Sequence, residues 1–369
     1  MADGEIFISA GEPSGDNAGS LLISAIKKKS GTVTFFGLGG KRMSAQGQEQ
    51  LTESSRLAVM GFWEVVKHYS FFRKLFHQCL DEINRRKPSC VILIDYPGFN
   101  LRLAKEVKKL GIPVIYYISP QVWAWGHKRV PEIKANIDKM IVILPFEKEF
   151  YREQGMECDF VGHYLLEDIP AEYISSSIPT NGHIALLPGS RAQEIKRLLP
   201  PMLEAAARFN KESGTIAVVA GVSGAYHYDF LMRESANTNI RIVYDDPRKV
   251  IFESSMVLTK SGTATLESAI IGRPMIVAYK TSFVSYLIAK SLIKLDKIAL
   301  VNLVLDKKVV PELIQNQSNA DNMFGELKKL RDNKEQLSNI KSDLDRVPKV
   351  LGGAGASERA ADIILKYIN

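Results

Sequence analysis

The sequence predicts an α/β protein made of two Rossmann-like, doubly wound domains facing a cleft. Three observations carry this. Short β-branched apolar runs alternate with amphipathic stretches along the 369 residues, as buried parallel strands and their crossover helices do. Glycine loops follow such runs at 11–16, 187–191 and 260–263 and lead straight into helical patterns. One polar segment, 167–182, carries two prolines and three serines, interrupts the alternation and reads as a linker. A chain of this length also makes two domains the default.

Taken in order, residues 6–22 read as a strand, a tight loop and the start of a helix. The loop holds two carboxylates, Glu12 and Asp16, and matches neither GxGxxG nor GxxxxGK[ST]. Carboxylates repel phosphate, so the loop suits hydroxyls or protons; the plainer alternative is Asp16 as a helix N-cap. Further strands are expected at 33–38, 90–94, 113–118, 140–144 and 160–161, with helices at 99–110 and 128–138. After the linker, strands are expected at 184–187, 215–220, 240–244, 256–259, 275–278 and 298–301. Helices are expected at 191–210, 224–235 and 263–271, then one long charged helix at 319–345 and a last helix at 357–367. The expected domains are 1–168 and 169–345, with 346–369 able to cross back to the first.

Apolar content of 46% and charged content of 24% are those of an ordinary globular protein. A net charge of +7 favours anionic partners. Nucleic acid is the weakest of these, because no basic block, RNP-like motif or zinc-finger spacing is present. Cys79, Cys90 and Cys158 are widely spaced and odd in number, which suits buried thiols rather than disulfides or a metal. The N-terminus lacks an apolar signal core, and no apolar run approaches the roughly 20 residues of a membrane span. The expected location is cytoplasmic, with at most peripheral attachment to a membrane.

Two loops in the second half point to a nucleotide. At Ser261-Gly262-Thr263 a strand passes directly into a helix, whose first N–H groups can face an anion. Glu267, about one turn further on, suits the two hydroxyls of a ribose. Gly189-Ser190-Arg191 repeats the arrangement with a fixed positive charge able to neutralise a leaving diphosphate. The plainer alternatives are capping by Ser261, Thr263 or Ser190, with Glu194 bonded back to the loop. No Asp-x-Asp follows an expected strand and no paired histidine spacing occurs, so no metal or other cofactor is expected. His163 ends the last expected strand of the first half and could be structural or near the cleft.

Several motifs, in order, resemble one family. They are Gly11-Glu-Pro-Ser-Gly-Asp16, Gly37-Leu-Gly-Gly40, Met60-Gly-Phe-Trp-Glu64, Ile94-Asp-Tyr-Pro-Gly-Phe-Asn100 and Ser119-Pro-Gln-Val-Trp-Ala-Trp125. Leu144-Pro-Phe-Glu147, Val161-Gly-His163, Leu187-Pro-Gly-Ser-Arg191 and Ser261-Gly-Thr-Ala-Thr-Leu-Glu267 complete the set. The chain resembles the lipid-A-disaccharide synthases, glycosyltransferases of the B-type (GT-B) fold. The resemblance implies an inverting transfer of diacylglucosamine from UDP-2,3-diacylglucosamine to 2,3-diacylglucosamine 1-phosphate. The products would be the β-1,6-linked lipid A disaccharide 1-phosphate and UDP. It places the nucleotide on Gly189, Ser190, Arg191, Ser261, Gly262, Thr263, Glu267 and Asn302. It places acceptor and catalytic roles on Glu12, Ser14, Asp16, Asp95 and Asn100, with Arg191 on the departing UDP.

One departure stands out. Much of the family has an acidic residue, a favoured candidate for the base, where this chain has Gly98. Asp95, Asp16 and Glu12 are then the candidate bases. Acylated substrates need an apolar surface, and residues 60–76 interleave Phe62, Trp63, Phe71 and Phe72 with Lys67, Arg73 and Lys74. That composition suits an interfacial helix on anionic lipid, or a core helix with a basic edge. Residues 283–298 are a second such stretch. A homodimer is compatible with this reading. The alternatives are a UDP-sugar 2-epimerase on a similar fold and a non-catalytic sugar-binding protein.

Overall fold

Strands that are apolar at every position have no polar face to offer water, so they settle in the middle of a sheet covered on both sides. β4 (Cys90–Ile94) is the clearest case, with all five residues buried. Around it lie β1 (Glu5–Ala10), β2 (Thr34–Leu38), β3 (Gln48–Gln50), β5 (Val114–Tyr117), β6 (Lys139–Val142) and β7 (Cys158–Phe160). The order is β3-β2-β1-β4-β5-β6-β7, and every paired neighbour is parallel. A second parallel sheet contains β8 (His183–Leu187), β9 (Ala217–Ala220), β10 (Ile240–Val243), β11 (Ser254–Lys260), β12 (Met275–Tyr279) and β13 (Glu312–Ile314). Its order is β10-β9-β8-β11-β12-β13.

The computed structural model describes residues 4–52, 69–223, 228, 239–244, 246–282 and 296–368. The chain divides into two compact units, Met1–Asp168 with Leu351–Asn369, and Ile169–Val350. In the first unit one apolar cluster joins Phe7, Phe36, Val91, Leu93, Val114 and Tyr116 to the inward faces of helices Tyr69–Arg86 and Pro97–Lys109. Each fully buried Leu or Ile of this kind stabilises the fold by roughly 1.5–3 kcal/mol. The closing helix Ala356–Ile364 packs on helix Pro13–Lys29 within the same unit.

Both sheets reverse direction once. In the first unit the chain winds outward from β1 in one direction and from β4 in the other, so the loops after β1 and β4 flank a topological switch point. In the second, β8 and β11 do the same. Open α/β sheets bind ligands at such points. Proline at the start of helices Pro13–Lys29 and Pro97–Lys109 fixes where the chain turns from the carboxyl end of β1 and β4 into a helix.

Three expectations about elements are corrected. The charged stretch at 319–345 is two helices, Ala320–Asp332 and Lys334–Leu344. Asn333 separates them and caps the second by accepting from the Gln336 N–H at 2.9 Å. The strand expected at 298–301 is instead the approach to helix Leu300–Val304. The Glu312 carboxylate accepts the N–H groups of Ile298 and Ala299, which holds the chain out of any ladder there. β3 and β13, each three residues long, were not expected at all. The helix expected at 224–235, apart from Tyr228, and most of 283–298 lie outside the described residues.

Candidate active site

In the first unit the site begins with strain. Asp95 and Tyr96 follow β4 with φ of 45° and 49°, and Ile118 follows β5 with φ of 67°. Left-handed backbone at bulky residues costs on the order of 1–3 kcal/mol each and persists only where the surroundings enforce it. The enforcing groups are identifiable. Buried Asn100 donates to the Ile94 carbonyl at 3.1 Å and the Asp95 carbonyl at 2.8 Å, while accepting from Ser9 Oγ at 2.8 Å. The Tyr116 hydroxyl donates to the Asp95 carbonyl at 2.6 Å. Gly11 leaves room for the Tyr96 ring, since a Cβ there would stand 2.4 Å from it.

This scaffold presents the half-buried Asp95 carboxylate at the switch point. Burial first, and then the nearby Glu12 charge, push Asp95 up to about 6, against a smaller opposing effect of the Tyr96 N–H. A carboxylate in that range is suited to take a proton near neutral pH. Glu12 is exposed at the N-cap position of helix Pro13–Lys29, where no side chain caps the helix. Ser14 is half-buried in the same first turn.

Two of the sequence-derived roles change. Asp16 accepts from the N–H groups of Gly40 at 2.8 Å, Met43 at 2.9 Å and Arg42 at 3.1 Å. It therefore caps helix Lys41–Ala45 rather than its own, and Gly40 is required because a Cβ would stand 2.3 Å from the carboxylate. That commitment does not fit a base. Asn100 is wholly buried and holds the loop, so it does not fit an acceptor ligand in this structure. His163 is buried as well. Desolvation brings it down to about 3, its Nδ1 accepts from the Leu165 N–H, and its ring stacks on Tyr164. A neutral structural histidine is the result.

Phe71 and Phe72 lie on helix Tyr69–Arg86, half-buried and packed against the first unit's core, while Arg73 and Lys74 are exposed. Phe62 and Trp63 lie outside the described residues. Glu147, which sequence reading left without a role, is buried and pushed up to about 8 chiefly by desolvation, and it accepts from the Leu144 N–H at 3.0 Å.

In the second unit the loops after β8 and β11 flank the switch point. Helix Thr263–Ile271 has Gly262 at its N-cap and no side-chain cap, and exposed Thr263 opens it. Ser261 does not cap it; its hydroxyl donates to the Ile298 carbonyl at 3.0 Å. Helix Ala192–Ser213 likewise starts at Arg191 without a side-chain cap. Gly189 has φ of 119° and Ser190 is exposed. The Arg191 side chain is 58% exposed and reaches Glu194 only at 3.9 Å. Two helix N-termini and a guanidinium at a switch point favour an anion.

Glu267 and Asn302 are more constrained than their sequence suggests. Glu267 accepts from Arg248 Nε at 2.9 Å, and both side chains are largely buried. Replacing Glu267 by Ala is expected to destabilise the protein by about 3 kcal/mol, because a largely buried ion pair would lose its carboxylate. Thermal unfolding of Glu267→Ala beside Arg248→Met/Glu267→Leu checks this, the double variant recovering much of the loss. Asn302 is wholly buried. Its Oδ1 accepts from the Val309 and Val310 N–H groups, and its Nδ2 donates to the Val310 carbonyl and Glu312. Its side chain shapes the loop, with both amide hydrogens already in use. Sequence reading also passed over Lys260, whose position at the end of the strand feeding the glycine loop was the available signal.

Two parallel Rossmann-like sheets in one chain, each with its loops at a switch point, define a GT-B-type protein. The fold matches a glycosyltransferase of kitacinnamycin (TM-score 0.63, 16% identity, all of both chains). It also matches a UDP-GlcNAc 2-epimerase from Neisseria meningitidis solved with UDP-GlcNAc (TM-score 0.66, 12% identity, 98% and 99% of the two chains). At that identity the likeness is one of fold alone. A family model described as Lipid-A-disaccharide synthetase matches residues 6–366. Curated lipid-A-disaccharide synthases are similar over nearly their whole length. That of Myxococcus xanthus is 35% identical over 375 residues, covering 98% of this chain and 97% of the relative. That of Syntrophus aciditrophicus is 37% identical over 376, with the same coverage. The chain belongs to the lipid-A-disaccharide synthase family and is a glycosyltransferase of lipid A assembly.

Proposed function

We propose that the chain transfers diacylglucosamine from UDP-2,3-diacylglucosamine to the 6-hydroxyl of 2,3-diacylglucosamine 1-phosphate, with inversion at the anomeric carbon. The observation that carries the catalytic part is Asp95, a carboxylate held on strained backbone at a switch point and raised toward neutral pH. Asp95 takes the proton of the attacking hydroxyl. The hydroxyl oxygen bonds to the anomeric carbon as the bond to the diphosphate breaks, and UDP leaves with the electron pair. The helix N-termini at Ala192 and Thr263, with Arg191, receive the charge that develops on UDP. Glu12 raises Asp95 without itself taking the proton, and Asp16 and Asn100 hold the loops. Purified protein mixed with both substrates is expected to release UDP and disaccharide 1-phosphate, read by mass spectrometry. Folded protein that yields neither refutes the assignment.

The acyl chains imply work at a lipid surface, and among the described residues no helix is long and apolar enough to cross a membrane. We place lipid contact on the start of helix Tyr69–Arg86. Because Phe71 and Phe72 also pack on the core, charge reversal of exposed Arg73 and Lys74 tests the contact without touching the fold. The Arg73→Glu/Lys74→Glu variant is expected to bind anionic liposomes at least about 30-fold more weakly at low salt, since each basic residue near the surface contributes about 1 kcal/mol. Unchanged co-sedimentation returns the helix to a purely structural role.

A further inference from the structure

We propose that Lys260 is a diphosphate-binding residue of the nucleotide sugar, and that Glu194 orients it for that role. This rests on the reading of the β8 and β11 loops as the nucleotide site. Lys260 is the last residue of β11, and its Nζ lies 3.8 Å from where a Cβ on Gly262 would stand. The ammonium therefore sits over the loop that opens helix Thr263–Ile271. It pairs with Glu194 Oε1 at 2.9 Å. The other oxygen, Oε2, accepts from the Ser190 N–H at 3.3 Å and occupies the space above Gly189, 2.5 Å from where a Cβ would stand.

One carboxylate thus bridges a backbone N–H of the first glycine loop and the ammonium of the second, with the Arg191 guanidinium 3.9 Å away. These are the donor types that a phosphate takes. The chain supplies its own anion where the nucleotide reading puts the diphosphate. The pair is partly shielded, the Lys260 side chain being 24% exposed and that of Glu194 18%, so salt screens it less than a surface pair. When the diphosphate arrives it competes with Glu194 for the Ser190 N–H and the ammonium. A purely structural role for the pair would tie β11 to helix Ala192–Ser213 and leave phosphate affinity untouched.

Calorimetric titration of the full-length protein with uridine and with UDP separates the two. In Lys260→Met, uridine is expected to bind as in wild type while UDP binds at least about 10-fold more weakly, the worth of one charged hydrogen bond. Lys260→Met/Glu194→Gln carries no orphaned carboxylate and is expected to keep the UDP loss with wild-type unfolding behaviour. If both variants bind UDP as wild type does, or if uridine and UDP weaken equally, Lys260 is not a diphosphate ligand. If Arg191→Ala loses UDP while both Lys260 variants keep it, the nucleotide site stands and this proposal falls. If folded wild-type protein binds no UDP, the nucleotide reading falls and takes the proposal with it.

Discussion

Asp95→Asn is expected to lower kcat for glycosyl transfer by about 10²–10⁴-fold, the usual contribution of a general base, and to raise the thermal stability of the protein. The two effects have one cause. Burial and the Glu12 charge raise Asp95 from 3.8 to about 6 in the folded chain. A raised carboxylate contributes stability below its unfolded pKa and loses that contribution as pH rises through the folded value. At pH 7 the ionised side chain therefore opposes folding, by on the order of 2–3 kcal/mol. Asparagine removes the charge and tolerates the φ of 45° at this position, which alanine would adopt only with strain. Catalytic loss together with a higher unfolding temperature identifies a base. Loss of activity with a lower unfolding temperature would instead mean that the carboxylate holds the loop. Gly98 offers a second handle, because a Cβ there meets nothing within 4 Å. In Asp95→Asn/Gly98→Asp, partial return of activity is expected.

Arg191→Ala is expected to lower kcat and kcat/KM together by about 10²–10³-fold, the range found when one donor to a developing negative charge is removed. The side chain is 58% exposed, and the protein is expected to unfold at the wild-type temperature. Arg191→Lys keeps the charge but not the planar fork and should recover only part of the loss. A large rise in KM with unchanged kcat would show that Arg191 binds donor and transition state equally well, which contradicts a role on the departing UDP.

Much of this architecture was legible because its signals are local. Buried parallel strands are built on short, nearly continuous apolar runs, so β1, β4, β5, β8, β11 and β12 stand out in the sequence. Glycines at strand ends mark the loops that flank both switch points. What was not legible depends on partners far away in the chain. β3 and β13 are three-residue edge strands paired on one side, too short for Gln48–Gln50 or Glu312–Ile314 to announce them. Asp16 looked like a cap for its own helix, yet it serves one 24 residues later, through Gly40. Asn302 read as a strand-end ligand until Glu312 and the Val309–Val310 backbone were seen to use its amide. The Arg248–Glu267 and Lys260–Glu194 pairs are likewise fixed only by folding. The choice of Asp95 among three carboxylates rests on the strain and burial at the end of β4, which no spacing in the sequence reveals.

The pH dependence of kcat/KM for disaccharide formation tests this choice most directly. A single ascending limb centred near pH 6 is expected in the wild-type enzyme, with activity falling about tenfold per unit below it, and that limb should be absent from the residual activity of Asp95→Asn. A wild-type profile flat from pH 5 to 8, or a limb near 6 that survives in Asp95→Asn, would contradict Asp95 as the base.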